Sequence, residues 1–168
     1  MHNDQLVRKE LLDLLAGGEA HMSFEQALAD FPLAQINTAF PQCDYTPWHL
    51  LEHLRFCQWD ILTYIRDAHY VAPKFPADYW LSPTASTDAA GWAKTLANFA
   101  ADLEAFRQLL RDPAVDLYAP LPHAPQHNVF RCILVLADHN AYHLGEFAFL
   151  RQVTGQWGRR QAGRHPYI

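Results

Sequence analysis

Thr46-Pro47-Trp48-His49-Leu50-Leu51-Glu52-His53-Leu54 opens the stretch that decides the fold. Threonine is a strong helix N-cap, because its hydroxyl can accept an unpaired backbone N–H of the first turn. Proline at the first helical position has no N–H to lose and a φ already set for the helix. A helix over about 47–68 follows, and Trp48, Leu51, Leu54, Ile61, Leu62 and Ile65 supply its apolar surface. His49 and His53, four residues apart, share one of its faces.

Helical spacing continues on both sides. Leu6, Leu11, Leu12, Leu14 and Leu15 form the apolar side of a helix over about 4–16, stopped by Gly17-Gly18. Ser23 caps a short helix over about 24–31, with Phe24, Leu28 and Phe31 inward and Pro32 at its end. Residues 32–45 read as irregular, with room for one helical turn between Leu33 and Phe40. Residues 69–86 are a long loop holding Pro73, Pro76 and Pro83 among Tyr70, Phe75, Tyr79 and Trp80. Loops of that length in a compact domain often serve as lids or rims. Thr87 or Asp88 caps a helix over about 87–111, with Trp92, Leu96, Phe99, Leu103, Phe106 and Leu110 as a core stripe. Pro113 to Pro125 reads as loop. The last helix covers about 128–154, turns Val129, Ile133, Leu136, Leu144, Phe147 and Leu150 inward, and takes Gly155 as C-cap. Convincing strand alternation is absent. The reading is all-α: a four-helix bundle with an extra short helix near the N-terminus, as one domain over residues 1–168.

The last helix carries Asp138-His139-Asn140-Ala141-Tyr142-His143. Two imidazoles four residues apart lie on one helix face, about 6 Å apart at Cβ, and can hold one metal ion. His53 can bring a third nitrogen from its own helix. Three protein ligands leave a coordination position for water or substrate, the pattern of a catalytic rather than a structural metal. The bland alternative for the pair is two hydrogen-bonded, partly buried histidines, and the third helical histidine is what favours a metal. His49 could replace His53. The deeper His53 is preferred, with His49 placed at the mouth of the site or on the surface. Neutral imidazoles suit a divalent transition metal, zinc or nickel foremost, with iron, copper and cobalt also open. Such a centre lowers the pKa of a bound water or thiol. Glu146 and Glu52 are the carboxylates that could move the proton. Asp138 could orient an imidazole, or be a plain surface carboxylate.

The remaining chemistry-bearing residues score lower. His123 and His127 read as surface residues rather than pocket rim, and His2, His21, His69 and His165 have no constellation around them. Cys43, Cys57 and Cys132 lack metal spacing, and Cys57 and Cys132 read as core packing. A net charge of −5 argues against a nucleic-acid surface. Arg159, Arg160 and Arg164 read as a solvated tail or an anion contact. No apolar run reaches membrane length, the N-terminus lacks a leader pattern, and the expected location is cytoplasmic. Phosphate-binding glycine loops, serine-nucleophile elbows and CxxC pairs are absent.

The stretch Thr46–Leu54, together with Ala137-Asp138-His139-Asn140-Ala141-Tyr142-His143-Leu144-Gly145-Glu146, resembles the DinB/YfiT-like family of metal-binding helical proteins. That family pairs a histidine near the start of the second long helix with an HxxxH on a later one. The resemblance runs from the first helix to about Arg151. It implies an up-down-down-up bundle, often a homodimer, with a divalent metal on His53, His139 and His143. Glu146 stands where the family commonly has glutamine, and His49 is an additional histidine. Understood members include transferases and isomerases that use low-molecular-weight thiols, while many others are labelled hydrolases. The expected function is therefore a metal-dependent thiol transferase or hydrolase. Its small-molecule substrate would enter beside Tyr79 and Trp80. Two readings compete with it. One is a non-catalytic metal-binding or stress-response module, marked by a filled four-ligand sphere that His49 or Glu146 would complete. The other is a polar histidine pocket without metal.

Overall fold

The computed structural model describes residues 3–155. Five α-helices carry it: α1 (Asn3–Ala16), α2 (Phe24–Leu28), α3 (Pro47–Arg66), α4 (Ala89–Arg111) and α5 (Val129–Val153), with a 3-10 turn at Leu33–Gln35. α3 packs on α4 and α5, α1 also lies against α4 and α5, and α2 rests on α5. Among the described residues no helix is long and apolar enough to cross a membrane. The arginine cluster at 159–164 lies outside the described residues, as do His2 and His165.

The long helices start where capping chemistry places them. The Thr46 hydroxyl accepts the His49 N–H at 3.2 Å, with Pro47 at the first helical position. Asp88 accepts the Gly91 N–H at 2.8 Å, and Asn128 accepts that of Arg131 at 2.9 Å. Asp88, not Thr87, is the cap of α4. Thr87 is instead held by Asn37, whose side chain takes both its N–H and its carbonyl. Asp88→Ala should therefore destabilise the protein by about 1 kcal/mol, the usual worth of an N-cap, as read by urea unfolding.

Four expectations need correction. α2 stops at Leu28 rather than running to Pro32. Ala29 turns extended and Asp30 takes a φ of +53°, so the last carbonyls lose their helical partners. The Arg151 guanidinium, reaching across from α5, donates to the Ala27 and Ala29 carbonyls at 3.0 and 2.6 Å. On α1, Leu6 and Leu14 are exposed and only Leu11 and Leu15 are fully inside, while Arg8 is buried beside them. The stretch read as loop between Pro113 and Pro125 contains strand β1 (Pro120–Leu121), paired antiparallel with β2 (Ala124–Asn128). A strand of two residues has no alternation to read, and only its pairing defines it. Gly155, with φ +69°, sits one residue past the α5 cap, which is Thr154.

The core forms along α3, α4 and α5. Phe99, Phe106, Phe147, Leu50, Leu51 and Leu54 are all essentially inaccessible. Phe24 of α2 stacks on Phe99 with centroids 3.8 Å apart. All six inward residues expected on α5 are buried. One polar side chain ties the three long helices together. Gln58, fully buried on α3, donates to the Phe99 carbonyl of α4 at 2.6 Å and accepts from Asn140 of α5 at 3.4 Å. That contact holds α3 and α5 in register one turn from the histidines.

Candidate metal centre

His53 of α3 and His139 and His143 of α5 come together, with one ligand atom from each lying within 4.8 Å of the others. His53 Nε2 and His139 Nε2 are 3.2 Å apart. Two nitrogens bound to one tetrahedral zinc at about 2.0–2.1 Å would be about 3.3–3.4 Å apart, so this separation already suits a shared cation. The three rings also pack in tilted and edge-on pairs, with centroids 4.5 to 5.1 Å apart.

What lies behind the rings sets their tautomers. His53 Nδ1–H donates to the Tyr79 carbonyl at 2.8 Å, which leaves the Nε2 lone pair facing the cluster. His143 Nδ1–H donates to Glu146 Oε2 at 2.6 Å, with the same consequence. Outer partners of this kind orient metal-ligating histidines and raise their basicity. Burial pulls His139 down to about 4, with His143 and His53 adding to the effect. Burial also lowers His53. Both rings are therefore neutral at neutral pH, the form that can ligate. The donor set fits a divalent transition metal.

The long loop before α4 forms one wall. Trp80 stacks flat on His53, with centroids 3.9 Å apart and planes 6° from parallel. Asp60, buried on α3, accepts the Tyr70 and Tyr79 hydroxyls at 2.7 and 2.8 Å. This clamp holds the Tyr79 carbonyl against His53. Tyr45 also stacks on Trp80 and faces Glu146. Burial first, then the Glu146 charge, pushes the Tyr45 hydroxyl up, so it stays protonated. Cys57 Sγ lies 3.7 Å from both His53 nitrogens, aligned with neither lone pair. Its thiol, pushed up to about 12 chiefly by burial, stays neutral. A cavity of about 470 Å³ opens beside the three imidazoles, between the Phe75–Trp80 stretch and α5.

Other expected residues fall elsewhere. Glu52 is not brought to the histidines: its oxygens are held by Arg55 at 2.6 Å and by the Thr95 hydroxyl of α4 at 2.8 Å. His49 is neither at the mouth nor on the surface. It is 3% exposed, donates from Nε2 to the Ala85 carbonyl, and accepts the Thr46 N–H at Nδ1. It closes the cap of α3 and pins the end of the loop. Asp138 is exposed. His123 and His127 are half-buried against Tyr64, whose hydroxyl is 2.6 Å from His127 Nδ1. Asp60 and Tyr45 had no sequence signal, and Tyr79 was singled out only as a loop aromatic beside the entrance, because each acts through a contact between segments distant along the chain.

Glu146 has a measurable role here. Glu146→Gln keeps the shape but weakens the acceptor for His143 Nδ1–H. Metal affinity should fall roughly 10–100-fold, measured by competition with a chelating indicator.

The helices and this cluster define a class: helical proteins with a three-histidine metal-compatible centre between two facing helices. The sequence pattern of the DinB superfamily matches residues 18–147, so both histidine motifs lie inside it. The chain belongs to the DinB superfamily. No curated protein and no solved structure matches the chain significantly.

Proposed function

We propose that this protein is a metal-dependent enzyme whose divalent metal, zinc or nickel, is held by His53, His139 and His143. The observation that carries this reading is the convergence of three imidazoles, two with back-side partners, at the edge of an accessible cavity. Bound there, the metal supplies Lewis acidity, lowering the pKa of a coordinated thiol or water. The chain's own groups do the rest. Tyr79 and Glu146 hold the His53 and His143 rings in the ligating tautomer. Trp80 and the Asp60 clamp hold the loop that walls the site. Glu146 is a positioning residue, because its carboxylate meets His143 on the side away from the cluster.

The reaction class is thiol transfer or hydrolysis. The binding-module alternative requires a fourth protein ligand, and the two candidates for it are engaged elsewhere: His49 with Ala85 and Glu146 with His143 Nδ1. That favours an open coordination position. An up-down-down-up arrangement of α1, α3, α4 and α5 in one domain belongs to the same reading, as does a homodimer in the cytoplasm. The exposed Leu134, Phe149 and Val153 of α5 are the apolar surface that supports the dimer. Metal analysis of protein purified without an affinity tag tests the centre. Screening the loaded protein with small thiols and an electrophilic acceptor, against hydrolysis controls, tests the reaction class. Stoichiometric metal without turnover in any such pair would favour the binding module.

A further inference from the structure

The cavity beside the histidines differs from what a polyanionic small molecule needs. Ile61, Phe75, Trp80, Val135 and Tyr142 are among the residues that line it, its exposed surface is mostly apolar, and no Lys or Arg is among the described residues that line it. The charged group in its lining is the Asp60 carboxylate, and Glu146 stands directly behind His143. Two neighbouring cavities, along Cys43–Tyr45 and along α5 past Tyr142, contribute Asp44 and Glu146 and likewise no described Lys or Arg. A carboxylate or phosphate on a bound molecule would lose its water and find only aromatic faces and like charge. One anionic donor is a different matter, since a divalent cation on three neutral imidazoles keeps its full charge.

We propose, resting on the metal reading above, that the site takes a ligand with a single ionisable donor such as a thiol and an otherwise uncharged, aromatic or aliphatic body. The volume of about 470 Å³ falls within the usual range for small-molecule sites. Val135 is the specificity-determining position. It lies one turn before His139 on the same face of α5, where the body of a ligand anchored at the histidines would rest. Phe75 and Tyr142, 80% and 68% exposed, flank the entrance and offer ring faces to such a body.

The test uses full-length protein loaded with cobalt and a matched pair of probes, 4-(mercaptomethyl)benzoate and its methyl ester. Their donors are the same, and they differ in the remote charge and one methyl group. Binding is read from the sulfur-to-cobalt charge-transfer band. The ester should bind at least about tenfold tighter than the carboxylate, a difference of about 1.4 kcal/mol. Val135→Arg should bring the carboxylate level with the ester or ahead of it, with the cobalt spectrum before ligand addition unchanged. Equal or tighter carboxylate binding by the cobalt-loaded parent protein overturns the proposal and leaves the metal centre standing. Failure to load cobalt removes the metal reading instead. The same pair is then compared by quenching of tryptophan fluorescence, where an ester preference upholds the uncharged pocket, and equal binding, a carboxylate preference or no binding of either overturns it.

Discussion

His143→Ala should leave the purified, untagged protein without stoichiometric metal. His143 is the one member of the trio that is both buried and backed by a carboxylate: its Nδ1–H donates to Glu146 at 2.6 Å, and the His143 side chain is only 9% exposed. Removing the imidazole takes away one of three ligands and leaves Glu146 without its partner. The loss should exceed the roughly 10–100-fold cost of weakening an outer partner alone. The fold should survive, because α5 is anchored by its neighbours Leu144, Phe147 and Leu150. Helical circular dichroism at the parent level, together with lost metal, is the expected pair of results. Undiminished metal content in the variant would end the three-histidine assignment.

Arg8→Ala should lower stability by about 3 kcal/mol, as expected when one partner of a buried charged network is removed. Arg8 is a helix-terminus clamp. Its guanidinium donates to the carbonyls of Leu110 and Asp112 at 3.1 and 3.0 Å and to that of Val115, while Nε pairs with Asp4. The first two carbonyls are at the end of α4, where no further helical N–H can reach them. Truncation takes this donor from the Leu110 and Val115 carbonyls in a site that is 9% exposed, while the Asp112 carbonyl keeps the Val115 N–H. The melting temperature should drop roughly 6–12 °C, at about 2–4 °C per kcal/mol for a chain of this size. Arg8→Lys should recover only part of that, since an ammonium keeps the charge but lacks the planar fork. Asp4→Ala should cost far less, because Asp4 is 38% exposed and its pairing is screened. An unchanged melting temperature for Arg8→Ala would refute the clamp.

Arg8 also shows where reading a single chain stops. The leucines of α1 were legible as an apolar helix, but which of them go inside depends on the angle at which α1 meets α4 and α5. Leu6 and Leu14 lost that competition, and an arginine entered because three carbonyls waited for it. The inward face of α5 was legible, since Val129 through Leu150 repeat at helical spacing over six turns, although its cap is Thr154 rather than Gly155. β1 and β2 were not, because the two residues of β1 exist as a strand only through their partner and the five of β2 show no inward-outward alternation. Among the histidines, spacing alone joined His139 to His143. His53 was preferable to His49 on depth along the helix; the structure places His53 beside His139 and His143, and commits His49 to Ala85 and Thr46 through contacts the sequence did not contain.

By itself the chain determined its long helices, the cap at Thr46 and a pair of imidazoles one turn apart, because all of these depend on residues within a few positions of each other. Only the tertiary structure decided that His53 Nε2 meets His139 Nε2, that the Tyr79 carbonyl and the Glu146 carboxylate turn the lone pairs inward, and that the adjoining cavity is lined without a described cation. Those outcomes depend on how α3, α5 and a proline-rich loop pack. Packing is set by the sum of many weak contacts across the whole core, and no local run of residues encodes that sum.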